Sequence, residues 1–170
     1  MTSGNAGTAA AETSTAVVAA AIAKNQTVAT AESLTAGMVA ATLANTPGAS
    51  GMLQGGVVAY QNSVKAGVLG VPEQLLADVG SVDGAVAEAM AEGARRSCGA
   101  SIGVSTTGVA GPDPHDGKAV GTVFVGIAAD AGTKAFEFSF TGDRRSIREQ
   151  ACEAALARLL AALEGDGYRS

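Results

Sequence analysis

The chain has 170 residues and a formal net charge of −5, which suits one ordinary domain and excludes a net positive field that would attract nucleic acid. Hydrophobic residues make up 47% of the sequence and charged residues only 16%, so global disorder is excluded too. Cys98 and Cys152 are too few and too far apart for a disulfide framework or a zinc site. Residues 1–12 are small and polar and are expected to form a flexible tail, which leaves residues 13–165 as a single domain. The Ala-rich N-terminal stretch has no basic flank, so we expect neither a signal peptide nor a membrane span, and a cytoplasmic protein.

Helical and strand patterns alternate along the rest of the chain. The apolar spacing predicts strands at residues 27–32, 55–60, 100–107, 119–129 and 133–140. It predicts helices at residues 14–25, 35–45, 62–69, 73–79, 84–98 and 143–163. This alternation favours an α/β fold, a three-layer-like sandwich with a mixed sheet flanked by helices.

The first predicted strand leads into the sequence AESLTAG, with Ser33 at the turn before a helix. A hydroxyl at that place lies beside free N–H groups of a helix N-terminus, which bind an oxyanion or a phosphate. The alternative is that Ser33 or Thr35 only caps the helix. No G-x-S-x-G pattern surrounds Ser33, so a nucleophile elbow is not indicated.

The second predicted strand ends near Tyr60, five residues before Lys65 in a short helix. A short helix can return Lys65 to the mouth of the strand, although a solvated surface lysine is the simpler interpretation. An amine acts as a base only when it is neutral, and at an ordinary pKa only about 0.04% of it is neutral at pH 7. Lys65 is therefore informative only if it is enclosed, because burial lowers the pKa of an amine.

Two further stretches follow the later strands. Thr107 and Gly108 open a Gly/Pro-rich loop, which either approaches a ligand closely or simply ends the strand. His115, the only histidine, lies in that loop, but the spacing of its neighbouring carboxylates suits a metal poorly. Arg144 and Arg148 are four residues apart at a helix start, so they share one face and suit either a phosphate or exposed ion pairs.

Taken together, these stretches resemble the CinA C-terminal domain family in order and spacing. The matching stretches are AESLTAG, TPGAS, GGVVAYQNSVK, LGVP, GSV, TTGVAGPD, VGTVFVGIA and FTGDRRSIR, and the resemblance covers about residues 22–163. That family includes stand-alone deamidases of nicotinamide mononucleotide (NMN), which release ammonia and nicotinate mononucleotide. It also forms the C-terminal half of longer CinA proteins with a molybdopterin-binding-like domain. The chain has no room for that domain, so we expect the stand-alone form.

The resemblance implies a Ser/Lys amidohydrolase that needs no metal and no cofactor. Carried over by position, Ser33 is the nucleophile, Lys65 activates it, and Tyr60 lines the same pocket. N–H groups at the helix start 35–37 would hold the oxyanion, and Ser50 in TPGAS is the fallback nucleophile. The substrate-binding residues are expected to be Thr35, Gly37, Ser50, Thr107, Gly108, Arg144 and Arg148. The two arginines are assigned to the 5′-phosphate by their charge and not by the family.

The chain departs from the family pattern at three places. Ala36 stands where the family usually has glycine, the loop 113–117 is usually Gly-rich, and Ala119 replaces a usual proline. Three alternatives stay open. The first is a different amidohydrolase acting on another pyridine carboxamide, the second is a non-catalytic nucleotide-binding or regulatory module, and the third is a purely structural partner-binding protein. We expect a small nucleotide as the partner, no nucleic acid and no membrane, and a homo-oligomer that packs through small Ala-rich helix faces.

Overall fold

A mixed sheet of five strands lies at the centre of the computed structural model, which describes residues 3–166. The strands are β1 (Val28–Glu32), β2 (Leu53–Val58), β3 (Ile102–Gly108), β4 (Thr122–Ala129) and β5 (Gly132–Ser139). Their order across the sheet is β2-β1-β3-β4-β5, with β1, β2 and β3 parallel and β4 and β5 antiparallel to their neighbours. The helices are α1 (Ser3–Ala23), α2 (Met38–Ala44), α3 (Asn62–Gly67), α4 (Glu73–Val79), α5 (Gly84–Cys98) and α6 (Arg144–Leu163), with a 3₁₀ turn at Ala49–Gly51.

Helices cover both faces of the sheet. α5 packs along one face, whereas α2 and α6 pack on the other, with α1 against α6. On the α6 side, Val28, Val104 and Ile127 of the sheet are buried with Leu156 and Leu159 of the helix. The predicted three-layer α/β sandwich with a mixed sheet is therefore confirmed.

The helix α5 lies directly on the backbone of the sheet. A Cβ on Gly103 would lie 2.0 Å from the Ala91 carbonyl oxygen, and one on Gly126 would lie 2.2 Å from the Ala87 oxygen. Only glycine fits at such an approach. Small residues on both surfaces thus replace the large aromatic side chains that the composition lacks, and they let α5 pack closely on β3 and β4.

The N-terminal segment differs from the sequence-based expectation. The predicted tail is helical from Ser3, and residues 1–2 lie outside the described residues. Alanine has the highest helix propensity, Ala10 packs against the core, and the buried Ser14 hydroxyl donates to the Thr42 carbonyl over 3.1 Å. Neither α1 nor any other described helix is both long and apolar enough to cross a lipid bilayer.

The start of α2 also differs, because it begins at Met38 instead of residue 35. Residues 33–37 form a turn in which Ala36 has a φ of 47° and Gly37 a φ of 99°. Positive φ values are incompatible with a right-handed helix, so α2 begins only after Gly37. This turn holds Ser33.

Candidate active site

A cleft of about 460 Å³ opens where the carboxyl ends of β1, β2 and β3 meet. Open α/β sheets bind their ligands at this kind of edge, because loops and helix starts converge there. Six of the predicted catalytic and substrate-binding residues line the cleft: Ser33, Tyr60, Lys65, Thr107, Gly108 and Arg144. The structure thus brings together residues that lie more than 100 positions apart in the sequence.

Lys65 is enclosed by the protein and points at Ser33. Its side chain belongs to α3, and the residue is only 1% exposed. The Nζ atom lies 3.1 Å from Ser33 Oγ, 2.9 Å from the Ala59 carbonyl oxygen and 3.2 Å from the Tyr60 carbonyl oxygen. The short helix therefore does return the lysine to the mouth of the strand.

Burial makes the Lys65 amine release its proton at a pH closer to neutral. It lowers the pKa of Lys65 from 10.5 to about 8, against the opposing influence of the Asp116 carboxylate. At pH 7 about a tenth of the amine is then neutral, and the free energy needed to deprotonate it falls from about 5 to about 1.4 kcal/mol. A neutral amine has two N–H groups, which the two carbonyls accept, and its lone pair is left for the Ser33 hydroxyl proton.

The turn that carries Ser33 is built around the buried carboxylate of Glu32. Its Oε1 accepts hydrogen bonds from the Thr35 hydroxyl over 2.7 Å and from Val39 N–H over 2.8 Å. Its Oε2 accepts from Ala40 N–H over 3.1 Å. The positive end of α2 is therefore satisfied by an internal carboxylate and not by a ligand.

Arg148 holds the same turn from the other side. Its Nε donates to the Leu34 carbonyl over 2.8 Å, and its Nη2 lies 3.4 Å from the Thr35 carbonyl oxygen. Within residues 3–166, no protein acceptor takes the N–H groups of Leu34, Thr35 or Gly37, whereas Ala36 N–H donates to the Ser33 carbonyl. The N–H groups that remain available to an oxyanion thus belong to residues 33–37 and not to the first turn of α2.

Arg144 spans the mouth of the cleft. Its Nη1 donates to the Gly111 carbonyl and its Nη2 to the Tyr60 hydroxyl, both over 2.6 Å. Tyr60 is half exposed and Arg144 is exposed, so both side chains are accessible to a ligand that enters the cleft.

The wall opposite Ser33 is held by a second carboxylate. Asp116 Oδ2 accepts from the N–H and from the hydroxyl of Ser81, each over 2.9 Å. The Ser81 carbonyl in turn accepts from the Thr107 hydroxyl over 2.7 Å. His115 Nε2 lies 3.3 Å from Asp116 Oδ2, and both His115 and Ser81 line the cleft.

Four predicted substrate-binding residues are not brought into the lining of the cleft. Thr35 is fully buried, and its hydroxyl donates to Glu32 and lies 2.7 Å from the Thr106 hydroxyl. Gly37 serves the turn through its positive φ, and Arg148 binds backbone carbonyls. Ser50 is exposed in the 3₁₀ turn before β2. Since β1 and β2 are parallel, that turn lies at the opposite edge of the sheet from Ser33.

Sequence reasoning missed Glu32, Ser81 and Asp116. A signal existed for Glu32, which is the only charged residue in the first predicted strand and directly precedes Ser33. Ser81 and Asp116 gave no such signal, because they are 35 positions apart and meet only through the fold. Across the described chain, no group of three His, Cys, Asp or Glu side chains is placed to hold a metal ion.

Comparison with curated proteins finds relatives described as CinA-like or as competence-damage inducible. A CinA-like protein from Anaeromyxobacter sp. (strain K) is 50% identical over 150 residues, which cover 86% of this chain and 36% of that protein. A CinA-like protein from Frankia casuarinae is 46% identical over 143 residues, covering 82% of this chain and 33% of that protein. The chain spans about a third of the length of the curated relatives that it matches.

Solved structures show the same architecture along almost the whole chain. The Competence-Damaged Protein (CinA) superfamily protein from Klebsiella pneumoniae superposes with a TM-score of 0.88 at 32% identity, covering 92% of this chain and 98% of that one. The competence/damage inducible protein CihA from Agrobacterium tumefaciens gives a TM-score of 0.87 at 31% identity, covering 92% and 96%. The model of the CinA C-terminal domain matches residues 10–163. The chain belongs to the CinA C-terminal domain family.

Proposed function

We propose that the protein is an amidohydrolase that converts NMN to nicotinate mononucleotide and ammonia through Ser33 and Lys65. The observation that carries this proposal is the enclosed Lys65 amine, which lies 3.1 Å from Ser33 Oγ and also donates to two backbone carbonyls. A hydroxyl next to a neutral amine is the arrangement that nucleophilic catalysis requires. The family resemblance supplies the substrate.

In the first half of the reaction, Ser33 Oγ attacks the carboxamide carbon while its proton passes to Lys65 Nζ. The N–H groups of Leu34, Thr35 and Gly37 are the candidates to stabilise the negative oxygen of the tetrahedral intermediate. Lys65 then returns the proton to the amide nitrogen. The C–N bond breaks, ammonia leaves, and the nicotinoyl group stays on Ser33 as an ester.

In the second half, water attacks the ester carbon and gives its proton to Lys65. Collapse of the new intermediate breaks the bond to Ser33 Oγ, which recovers its proton from Lys65, and nicotinate mononucleotide is released. The electrophile belongs to the substrate, so the scheme requires no cofactor. The same two side chains therefore serve both halves, each proton being taken and returned once.

The mouth of the cleft supplies the charge for the phosphate. Arg144 presents a planar guanidinium that suits bidentate phosphate contacts. Its present acceptors are a carbonyl and a phenol, both neutral groups, so a dianionic phosphate would compete well for it. Arg148 is committed to the Ser33 turn and is not part of this proposal.

The experiment is ammonia release from NMN by the purified protein and by three variants. Ser33→Ala and Lys65→Met are expected to lower kcat by about a thousandfold or more, because they remove the nucleophile and its base. Ser50→Ala is the matched control, an exposed serine at the other edge of the sheet, and should keep full activity. Ammonia release that survives both Ser33→Ala and Lys65→Met would refute the mechanism.

The same assay separates the alternatives, and a purely structural partner-binding protein would show neither stabilisation by NMN nor ammonia release. A higher kcat/KM for nicotinamide or for NAD than for NMN would indicate a different pyridine carboxamide substrate. Stabilisation by NMN without any ammonia would indicate a non-catalytic nucleotide-binding module. The buried lysine has a lowered pKa and lies beside a serine hydroxyl, and this combination favours the enzyme.

A further inference from the structure

The side chain of Asp116 joins its loop to the turn before α5, at the wall of the cleft. Asp116 Oδ2 accepts two hydrogen bonds from Ser81, and a Cβ at Gly80 would lie only 2.9 Å from the same oxygen. The carboxylate thus sits tightly in the turn before α5, where Gly80 has a φ of 78°. Through the Ser81 carbonyl, the same contact reaches the Thr107 hydroxyl.

Asp116 carries a negative charge into the surroundings of Lys65. The hydrogen bond from the Ser81 N–H is the main cause that lowers the pKa of Asp116. The Ser81 hydroxyl and the charges of His115 and Lys65 lower this pKa too, and partial burial opposes them. Asp116 binds Ser81, which lines the same cleft as Lys65, and its charge raises the pKa of the Lys65 amine, which burial lowers. The Asp116 carboxylate is therefore ionised throughout the pH range in which the Lys65 amine acts as a base.

Other titratable or charged groups near this pair are engaged elsewhere or exposed. Tyr60 and Arg144 bond to each other, His115 faces Asp116 itself, and Asp113 is exposed on the loop. Glu32, one residue before Ser33, is bonded to Thr35 and to the start of α2.

We propose that Asp116 is a positioning residue of the Ser33–Lys65 pair, which fixes the cleft wall through Ser81 and stabilises the ammonium that Lys65 becomes when it accepts the serine proton. The role rests on the proposed function. Asp116 itself accepts no proton, since the transfer runs from Ser33 Oγ to Lys65 Nζ. Its charge has two opposite effects, because it makes the amine a stronger base and also keeps more of it protonated at neutral pH.

The variant Asp116→Asn separates charge from structure, because an amide oxygen can still accept from Ser81. Without the charge, the acidic limb of the pH profile of kcat/KM for NMN should move to lower pH, and the plateau at high pH should fall. The ratio of kcat/KM at pH 7 to that at pH 9.5 should rise by about twofold or more. Asp116→Ser, a second variant without the charge, should move the limb in the same direction.

Ser81→Ala is the matched control for the structural part. It loses a hydroxyl bond and keeps the charge, so any loss of kcat/KM should be equal across the pH range. The proposal would be overturned if the acidic limb of the kcat/KM profile stayed at the wild-type pH in both Asp116 variants. It would also be overturned if Ser81→Ala moved that limb as far as the Asp116 variants do.

A second readout does not depend on turnover. The Lys65 Cε signal is followed by NMR in protein labelled with carbon-13 at lysine Cε, and is assigned by its loss in Lys65→Met. Its titration midpoint should be lower in Asp116→Asn than in the wild type, and equal midpoints would overturn the proposal. This result stands even if NMN is not hydrolysed, so a failure of the proposed function and a failure of the Asp116 role are distinguishable.

Discussion

At the scale of single residues, Lys65 is where the molecule gives up stability for reactivity. A buried amine loses the hydration of its charged form, and within residues 3–166 three acceptors replace that water. The lowered pKa is the measure of this loss. It has a consequence for folding, since a proton that is bound less tightly by the native protein than by the unfolded chain links stability to pH.

The first prediction concerns the pH dependence of stability. Between the native pKa of about 8 and the unfolded value of 10.5, the unfolded chain holds a proton that the native protein has lost. The free energy of unfolding should therefore rise with pH across this window, by about 3 kcal/mol in total, and be unaffected by this group below it. Lys65→Met should lack this rise.

The measurement is urea unfolding of wild type and Lys65→Met at several pH values. The variant is the control for every other group that titrates in the window, the buried Cys152 included, whose pKa burial raises to about 11. Only the difference between the two curves matters, because the variant also loses hydrogen bonds to two carbonyls. Parallel curves would contradict a lowered pKa for Lys65.

The residues of the site were predictable to unequal degrees. Ser33 and Lys65 were singled out from their positions after strands and from the family resemblance, and the structure brings them together. The turn at Ala36 was not predictable, since alanine rarely adopts a positive φ. Its methyl group is exposed, so the change from the family's glycine burdens the backbone of the turn and does not fill the cleft.

At the scale of elements, α2 depends on a carboxylate that precedes it in the chain. Glu32 ends β1 and accepts the N–H groups of Val39 and Ala40, which would otherwise be unpaired at the helix start. One residue thus fixes the strand end, the turn and the helix relative to one another. Ser33 is held within that arrangement.

The second prediction tests this cap with Glu32→Gln. The glutamine oxygen can replace Oε1, but its NH₂ group then faces the Ala40 N–H, which leaves two donors opposed. The free energy of unfolding should fall by about 2–3 kcal/mol, and kcat should fall with it because Ser33 moves. Chemical denaturation and ammonia release measure the two effects.

Glu164→Gln is the control for that experiment, because Glu164 is exposed beyond the end of α6. Its effect on stability should stay within about 0.5 kcal/mol. If Glu32→Gln unfolds at the same urea concentration as the wild type, the cap does not carry the stability assigned to it here.

Elements with local start signals were predicted well. Pro72 and Asp83 mark the starts of α4 and α5, and both helices begin where the sequence indicates. The start of α2 was misplaced because its cap is a long-range carboxylate and not a side chain at the N-cap position. Local patterns do not reveal a hydrogen bond that spans seven residues from strand to helix.

At the scale of the whole molecule, the cleft exists only because separate parts of the chain meet. The parallel direction of β1, β2 and β3 brings the Ser33 turn, the Tyr60 loop and the end of β3 to one edge, and α6 closes the mouth. Arg144 is the contact that joins α6 to two of these parts. The sequence showed the individual parts but not the strand order, which decides that Ser50 lies at the far edge and Arg148 behind the turn.

The last prediction tests whether this junction recognises a phosphate. In the Ser33→Ala background, NMN is not consumed, and saturating it about 100-fold above Kd should stabilise the protein by about 2.7 kcal/mol. Adding Arg144→Ala should weaken NMN binding by about tenfold or more, since a charge-assisted bidentate contact is lost. The affinity for nicotinamide riboside, which lacks the phosphate, should hardly change.

Arg145→Ala is the neighbouring control, because Arg145 is exposed, is paired with Glu149 and does not line the cleft. Arg145→Ala should bind NMN like the parent protein when the affinities of all variants are measured by calorimetric titration. An Arg144→Ala variant that loses NMN and the riboside equally would show that the arginine only holds the cleft together through Gly111 and Tyr60. Selective loss of NMN would instead mean that α6 contributes to recognition, so that the ligand itself ties together the same parts of the chain that folding assembles.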